Sequence, residues 1–356
     1  MNFHTAVNNK RDNLIIQVIS FFWLLAKFWS LPAWSFSREV PLVSFIFDSQ
    51  SSTAIIFVTN IISIVLLLSL FLHMRRWVLA AVIFFEIISI CFDYLLLQPW
   101  EYIYLSIFLI SFINYNDKER KQYIIVLFLS SIYIFSGLHK LNRNFLVEVW
   151  NRFILTDFFG LSQEIVLHYK LFFLGLSIPL IELTLGIGLL TLRLSKKVIP
   201  LLILLHLIIL VVVGPLGKNY NSIIWFWNFA MIALLLLTFE SKIQSVKINA
   251  VWYLWIFAVP FAGIIIGWNS YLTFNLYAGK NEQLYIYSKN VFPEKMPAHK
   301  LSDNADGYQW YVNLQEWVMQ DTTLPPIPEK WYMEKMKQKL LERFPESKII
   351  LISPTN

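Results

Sequence analysis

Residues 54–72 read AIIFVTNIISIVLLLSLFL, an apolar segment without a charged side chain. About 20 such residues are what an α-helix needs to cross the hydrocarbon core of a bilayer. Similar blocks recur along the chain. One of them, residues 102–113, is short, which indicates a segment that is tilted, partly buried or joined to a neighbour. The nine predicted spans are residues 14–31, 54–72, 77–97, 102–113, 123–138, 171–192, 198–213, 223–237 and 251–266.

The composition supports an integral membrane protein. Of the 356 residues, 57% are hydrophobic and 15% are charged, whereas soluble domains carry about 25% charged residues. The net charge of +6 is explained by the loops described next, so it indicates the lipid bilayer and not nucleic acid as the partner. The single cysteine, Cys91, excludes an intrachain disulfide and a cysteine zinc site.

Basic residues predict the orientation, because Lys and Arg in short loops are retained in the cytoplasm. The N-terminus and every second loop after it hold twelve of them, against six in the alternate loops. The first set is Lys10, Arg11, Arg75, Arg76, Lys118, Arg120, Lys121, Arg193, Lys196, Lys197, Lys242 and Lys247; the second is Arg38, Lys140, Arg143, Arg152, Lys170 and Lys218. We therefore predict a multi-pass inner (plasma) membrane protein with a cytoplasmic N-terminus.

No small-residue cleavage motif follows block 14–31, which predicts a retained helix and not a signal peptide.

The pattern changes after Trp268, where the chain becomes polar and rich in Pro and Tyr. We predict an all-α polytopic membrane bundle over residues 1–267 and a small extracytoplasmic α+β soluble domain over residues 268–356. Alternating residues predict a hairpin over 272–287, and later patterns predict two helices and a strand. These elements are a helix containing Trp310, Leu314, Trp317 and Val318, a helix over 329–343 and a strand over 348–352. We expect this domain to act in docking or as a lid.

Charged side chains within the apolar blocks are costly in hydrocarbon and so are candidates for function. Lys27, late in its block, is expected to extend its ammonium to the interface. Glu86 and Asp93 are seven residues apart and share a helix face. They either pair with neighbouring cations, which holds helices together, or take part in function.

Lys140, Glu182 and His206 form the strongest group of candidates. Each has a structural alternative: an interfacial anchor, an ion pair and a single hydrogen bond, respectively. A partly desolvated lysine can act as a base, a nucleophile or a Schiff-base former. Proton-coupled transporters use the same residue types, so these residues alone leave enzyme and transporter open.

Two further segments carry aromatic side chains. Residues 141–170 have aromatic residues at spacings of three and four, which indicates either an interfacial helix or an amphipathic helix packed on the bundle. Residues 214–222 contain Gly and Pro and predict a tight turn. Asn221 and Asn228 then share a helix face, and nearby Trp225 belongs either to an interfacial belt or to a pocket for an aromatic or isoprenoid ligand.

Local motifs for common chemistries are absent from the sequence. It contains no Walker A loop, GxGxxG, HExxH, CxxC or GxSxG, and its six histidines lack metal-ligand spacing. The sequence therefore encodes no metal site locally, and a site assembled in three dimensions stays open.

Residues 132–142, IYIFSGLHKLN, resemble the (A/S)G-x-(K/H)-K-L-(N/D) signature of the HTTM superfamily. That group contains vitamin K-dependent gamma-carboxylase and its bacterial relatives. The resemblance extends through Glu182 and His206 to residues 214–228. His139 stands where the family has its first lysine, and 207–209 lack the family's Asn-Ser-Gln after the histidine. The chain also lacks the carboxylase's large lumenal region.

The resemblance implies that Lys140 is a base that works with a reduced vitamin K-type quinone as cofactor. It makes His139, His206 and Glu182 further candidate catalytic residues, and Trp225, Asn221 and Asn228 candidate cofactor-binding residues. The first hypothesis is thus a gamma-carboxylase-like membrane enzyme acting on an exported protein or a small molecule. The alternatives are a non-catalytic protein that binds quinone or another small molecule, a proton-linked transporter, and a purely structural partner.

Overall fold

The structure is a computed structural model that describes residues 3–45, 52–192, 194–214, 217–218, 221–239, 243–279, 282–301 and 307–353, with side chains from residue 13 onward. These residues are mostly helical, with a small antiparallel sheet near the C-terminus. This agrees with the predicted combination of a helical membrane part and a C-terminal α+β part.

Helices occupy most of the chain up to residue 266. The α-helices are α1 (Phe3–Trp29), α2 (Leu31–Trp34), α3 (Ser52–Leu72), α4 (Arg76–Phe92), α5 (Pro99–Ile113), α6 (Lys118–Lys140), α7 (Gln163–His168), α8 (Ser177–Leu190), α9 (Ser195–Val213), α10 (Ile224–Phe239), α11 (Ala250–Tyr253) and α12 (Val259–Ile266). Short 3-10 helices cover Tyr94–Leu96 and Leu171–Leu176, and π-helices cover Phe145–Phe158 and Leu254–Ala258.

Among the described residues, four helices are long and apolar enough to cross a membrane: Ser52–Leu72, Lys118–Lys140, Leu171–Leu190 and Ser195–Val213. Their side chains are arranged as a lipid environment requires. On α9, for example, Leu204 and Ile208 are half exposed while His206 is buried. The apolar helices Asn13–Trp29, Pro99–Ile113, Ile224–Phe239 and Ala250–Ile266 are shorter, so the total of nine spans stays a prediction.

Helix α6 carries the HTTM-like signature at its end. The side chain of Asp117 accepts a hydrogen bond from the backbone N–H of Arg120 and so caps the first turn. The last turn contains His139 and Lys140, where positive charge interacts favourably with the helix dipole. Both ends of this helix are therefore defined by local sequence.

The aromatic segment that follows is a π-helix over Phe145–Phe158. Its turns are wider than those of an α-helix because the hydrogen bonds join residues five apart, so spacings of three and four do not produce one continuous face. Phe145 and Leu155 are buried, and the indole N–H of Trp150 donates to the carbonyl of Leu171 at 2.9 Å. These contacts show the segment packed on protein at these positions.

The C-terminal sheet has four antiparallel strands in the order β2-β3-β1-β4. They are β1 (Gln283–Ser288), β2 (Ala298–Lys300), β3 (Trp310–Asn313) and β4 (Lys348–Ile352), and they are joined by helices α13 (Leu314–Thr322) and α14 (Lys330–Arg343). The predicted last strand is confirmed, and the helix predicted over 329–343 is confirmed from residue 330.

Two predictions for this region are wrong. Trp310 lies in β3 and not in the helix, which begins at Leu314. The strand predicted around residues 272–276 is instead a series of turns, in which Phe274 and Tyr277 have φ values of 59° and 54°. A strand cannot contain such left-handed residues. The alternation of apolar residues at 272–276 arose from a compact turn that buries Phe274.

The chain divides into two compact units: one comprises Met1–Ala26, Ser63–Phe84 and Pro99–Gly279, and the other comprises Lys27–Ile62, Phe85–Gln98 and Lys280–Asn356. Within the second unit, a carboxylate oxygen of Asp321 accepts hydrogen bonds from the backbone N–H groups of Glu39 and Val40, both at 2.8 Å. Gln98 donates to the carbonyl of Pro325 at 3.0 Å. The predicted domain boundary at residue 268 stays a prediction.

The second unit also contains two buried ion pairs. Lys27 is 6% exposed, and its ammonium donates to Asn60 and Glu86, each at 2.8 Å. Arg38 pairs with Asp93. The expectation that Lys27 extends to the interface is therefore wrong, because Glu86 offers a buried carboxylate within its reach. The interpretation of Glu86 and Asp93 as partners of neighbouring cations is confirmed.

Candidate functional site

The candidate site is built on the close approach of α6 and α8. A Cβ atom on Gly137 would lie 2.7 Å from the carbonyl oxygen of Pro179 and 2.9 Å from the backbone nitrogen of Leu183. A Cβ on Gly186 would lie 2.8 Å from the nitrogen of Ile134. The two helices thus run antiparallel with their backbones nearly in contact, a separation that only glycine permits here.

This packing places Lys140 against Glu182. The ammonium of Lys140 donates to both carboxylate oxygens of Glu182, at 2.8 and 2.6 Å, and to the hydroxyl of Ser136 at 2.6 Å. The Lys140 and Glu182 side chains are 9% and 6% exposed. Because both charges are buried, each depends on the other for compensation.

A second hydrogen-bonded group joins α6, α9 and α10. The hydroxyl of Tyr133 lies 2.7 Å from Nε2 of His206, and Nδ1 of His206 lies 2.7 Å from the amide oxygen of Asn228. The amide nitrogen of Asn228 donates to the carbonyl of Ile224 at 2.9 Å, which fixes the orientation of the amide. Since an amide oxygen only accepts, Nδ1 of His206 carries the hydrogen, and Nε2 of the neutral ring accepts from Tyr133.

The two groups form one centre. Tyr133, Ser136 and Lys140 are three, four and seven residues apart, so they lie on one face of α6. Tyr133 on this face bonds to His206, and Lys140 on the same face bonds to Glu182. The candidate residues Lys140, Glu182, His206 and Asn228 are thus brought together.

His139 lies apart from this face, since adjacent residues of an α-helix point in different directions. It is half-buried in the last turn of α6, and its backbone carbonyl accepts from the side chain of Asn142 at 2.6 Å. Its predicted part in catalysis stays a prediction.

Asn221 belongs to the turn that leads into α10, and Trp225 lies in the first turn of that helix. Asn221 is buried, and its carbonyl accepts from the backbone N–H of Ile224 at 3.3 Å. Trp225 lies beside Gly214, where an added Cβ would be 3.3 Å from the indole nitrogen. Of the three predicted cofactor-binding residues, Asn228 alone hydrogen-bonds to His206 in the described chain, and its bond there is structural. Ligand binding by all three stays a prediction.

Sequence reasoning missed Tyr133 and Ser136 as members of the centre. Both lie in the stretch 132–142 that carries the HTTM resemblance, seven and four residues before Lys140. Their helical spacing from Lys140 was therefore a usable signal. What the sequence could not supply was the position of α9, which brings His206 to Tyr133.

The arrangement can hold and move a proton. The Lys140–Glu182 pair can share a proton between the amine of Lys140 and the carboxylate of Glu182. Any further proton at this pair would bind to the same two groups. Within the part of the chain that the structure describes, no cluster of three His, Cys, Asp or Glu side chains could hold a metal ion. The side chains of Lys140, Glu182 and His206 are groups that take part in acid–base chemistry.

The chain matches no protein-family model, and neither curated proteins nor solved structures give a match. The resemblance to the HTTM superfamily therefore rests on residues 132–142 and the features that follow them, and what it implies is a proposal.

Proposed function

We propose that this protein is an integral membrane enzyme of the gamma-carboxylase-like type, with Lys140 as its base. The observation that carries the proposal is the buried Lys140 ammonium, held by both oxygens of Glu182 and by Ser136. A membrane-buried lysine with a carboxylate in direct contact can pass its proton to that carboxylate. The neutral amine so formed is a base.

A lipid-soluble quinol as the cofactor is supported by an apolar groove that includes a residue of α6, the helix that carries Lys140. An open, apolar groove of about 580 Å³ lies along α6 and the 250–261 segment, lined by Phe135, Tyr253, Phe257 and Phe261 among others. Such a groove suits an isoprenoid tail.

In this proposal each residue has a defined part. A reduced quinone would supply an acidic hydroxyl and reducing equivalents for oxygen. Lys140 in its neutral form takes the hydroxyl proton, Glu182 holds the proton that Lys140 releases beforehand, and Ser136 orients the amine. Tyr133 and Asn228 keep His206 in a single tautomer beside this pair.

The proposed topology has nine spans, with the C-terminal part outside the cytoplasm. Asp321 bonds to residues 39 and 40, and eight apolar blocks separate these two regions. Asn142 donates to the carbonyl of Ala278 at 3.1 Å, and four blocks separate that pair. Even numbers of crossings return the chain to the same side, so both contacts agree with the proposed arrangement of the blocks. The excess of basic residues in the other loops supports a cytoplasmic N-terminus in the plasma membrane.

Cofactor binding is tested with purified protein in nanodiscs. Quenching of tryptophan fluorescence by a reduced vitamin K-type quinone should saturate in the wild type. Replacing Phe257→Ala in the groove should weaken binding, while Phe229→Ala, at a half-exposed position of α10, should not. Non-saturating quenching in well-folded wild type would remove the cofactor from the proposal.

A second function, proton-linked transport, is favoured by one observation: the hydrogen-bonded series Tyr133–His206–Asn228 lies beside the buried ion pair and crosses three helices. In proteoliposomes with a pH-sensitive dye inside, a transporter would move protons and lose that activity on His206→Phe. The enzyme proposal expects no proton flux in this assay.

The substrate in either case is an exported protein or a small molecule.

A further inference from the structure

The sheet of the second unit has one covered face and one aromatic face. Leu284, Ile286 and Val312 are at most 1% exposed and lie on the side contacted by α13 and α14. Residues alternating with these point to the opposite side. Helices α13 and α14 in turn contact the 27–62 segment, through Asp321 and through Lys335, which donates to the carbonyl of Ser44.

The opposite face carries a row of residues in register across all four strands, with rings on β2, β3 and β1 and a lysine on β4. His299 on β2 pairs with Tyr311 on β3, Tyr311 pairs with Tyr287 on β1, and Tyr287 pairs with Lys348 on β4. The ring centroids of Tyr287 and Tyr311 are 6.2 Å apart, and those of His299 and Tyr311 are 5.2 Å apart.

Two more tyrosines extend this row into a platform. The ring of Tyr285 lies 6.3 Å from that of Tyr311, and the ring of Tyr308 lies 6.4 Å from that of Tyr287. All four tyrosines are half-buried by one another and retain exposed surface. We call this surface, formed by Tyr285, Tyr287, Tyr308 and Tyr311, the tyrosine platform.

The edge of the platform is basic. The ammonium groups of Lys289 and Lys348 lie 5.9 and 5.8 Å from the ring centroid of Tyr308. Among the described residues, the acidic side chain of Glu316 bonds to Nε2 of His299 at 2.7 Å. Aromatic faces, phenolic hydroxyls and two ammonium groups are thus presented together.

We propose that the tyrosine platform binds an anionic polysaccharide. The C–H face of a sugar ring packs on the electron-rich face of an aromatic ring, phenolic hydroxyls hydrogen-bond to sugar hydroxyls, and the lysines attract the acidic groups of the polymer. The choice of a sugar over a nucleic acid rests on the proposed extracytoplasmic location of this part of the chain, where acidic glycans are the available polymers.

Binding is measured on the full-length protein in nanodiscs, with polygalacturonate as the probe and neutral dextran and poly(dT) as comparisons. The variant Tyr287→Thr/Tyr311→Thr removes two rings and keeps residues that suit a strand. Tyr169→Ala, at an exposed tyrosine of the 141–170 segment, is the matched control. A thermal unfolding midpoint near that of the wild type shows that the sheet is retained, and Lys289→Gln tests the edge without touching the sheet.

The proposal expects saturable binding of polygalacturonate, at least about tenfold weaker in the double tyrosine variant, weaker in Lys289→Gln and unchanged in Tyr169→Ala. Dextran should bind less well than polygalacturonate. No binding by the wild type, or equal binding by a folded double variant, would overturn the proposal, and tighter binding of poly(dT) would replace the glycan with a nucleic acid. None of these results bears on the Lys140 centre, which is in the other unit.

Discussion

Lys140 and Glu182 form a buried ion pair in which one ammonium contacts both oxygens of one carboxylate, at 2.6 and 2.8 Å. The two residues come from antiparallel helices and are separated by 42 positions in the chain. The pair is adjacent to the glycine contact of α6 with α8, so its geometry is set by the tightest helix packing in the candidate site.

Removing one member of this pair should destabilise the protein. Glu182→Leu leaves the Lys140 ammonium buried without its carboxylate, and the expected loss is about 3 kcal/mol. The double variant Lys140→Met/Glu182→Leu removes both charges and should recover much of that loss. Unfolding in mixed detergent measures these losses. The pairing would be contradicted if the double variant lost as much unfolding free energy as Lys140→Met and Glu182→Leu lose when added together.

Gly137→Ala should also destabilise the membrane part. Alanine favours a helix over glycine by up to about 1 kcal/mol, but its Cβ would lie 2.7 Å from the carbonyl oxygen of Pro179. The helices would separate, and the Lys140–Glu182 contact would lengthen. Measured by the same unfolding assay, Gly137→Ala should be less stable than the wild type; a more stable variant would show that helix propensity dominates and that the close approach is wrong.

His206 should be a neutral ring with its hydrogen on Nδ1. The amide oxygen of Asn228 requires a donor at Nδ1, and Tyr133 supplies a donor to Nε2. Nitrogen-15 chemical shifts of labelled histidine should therefore show a protonated Nδ1 and an unprotonated Nε2. Asn228→Leu removes the acceptor and should change this pattern, while Asn221→Leu, in the turn that precedes α10, serves as a control. A ring with its hydrogen on Nε2 in the wild type would refute the arrangement.

The C-terminal part of the second unit should separate more easily from residues 39–40 in acid. Glu39 bonds to Arg343 and Lys295. Both interactions lower the pKa of its carboxyl below 4.5, and the bond to Arg343 has the larger effect. A carboxylate with a lowered pKa stabilises the folded state above its unfolded pKa, and this contribution is lost as the pH falls through the folded value.

Glu39→Gln should remove this contribution, so the stability of the variant should depend less on pH between about 5 and 3 than that of the wild type. The effect should be small, because the group is exposed and screened. Proteolysis of the C-terminal part at a series of pH values measures it. Identical pH profiles for the wild type and Glu39→Gln would show that the Arg343 and Lys295 contacts do not contribute.

The sequence was sufficient for the class of fold but not for its details. Apolar blocks predicted membrane helices because hydrocarbon sets a simple length rule, and the strand 348–352 followed from short-range pattern. The turn at Phe274 was missed because alternation of apolar residues does not reveal a positive φ. Lys27 was misplaced because its partner Glu86 is 59 residues away, and nothing local indicates which helices become neighbours.

The same limit applies to the candidate site. Lys140, Glu182 and His206 could each be selected as polar residues in apolar surroundings, one at a time. Which of them share a cluster depends on the glycine contact between α6 and α8 and on the position of α9, which are tertiary features. Tyr133 has helical spacing from Lys140, but its partner His206 is 73 residues away in the chain, and nothing local indicates that contact.

The most direct test of the central claim is oxygen uptake by the purified protein with a reduced vitamin K-type quinone. The proposal predicts quinol-dependent uptake by the wild type and by Lys170→Ala, a variant at an exposed lysine. It predicts loss of uptake in Lys140→Ala and in the charge-balanced Lys140→Met/Glu182→Leu, with circular dichroism confirming that both remain folded. Uptake that persists in a folded variant without Lys140, or that is absent from well-folded wild type, would contradict a role for Lys140 as the base.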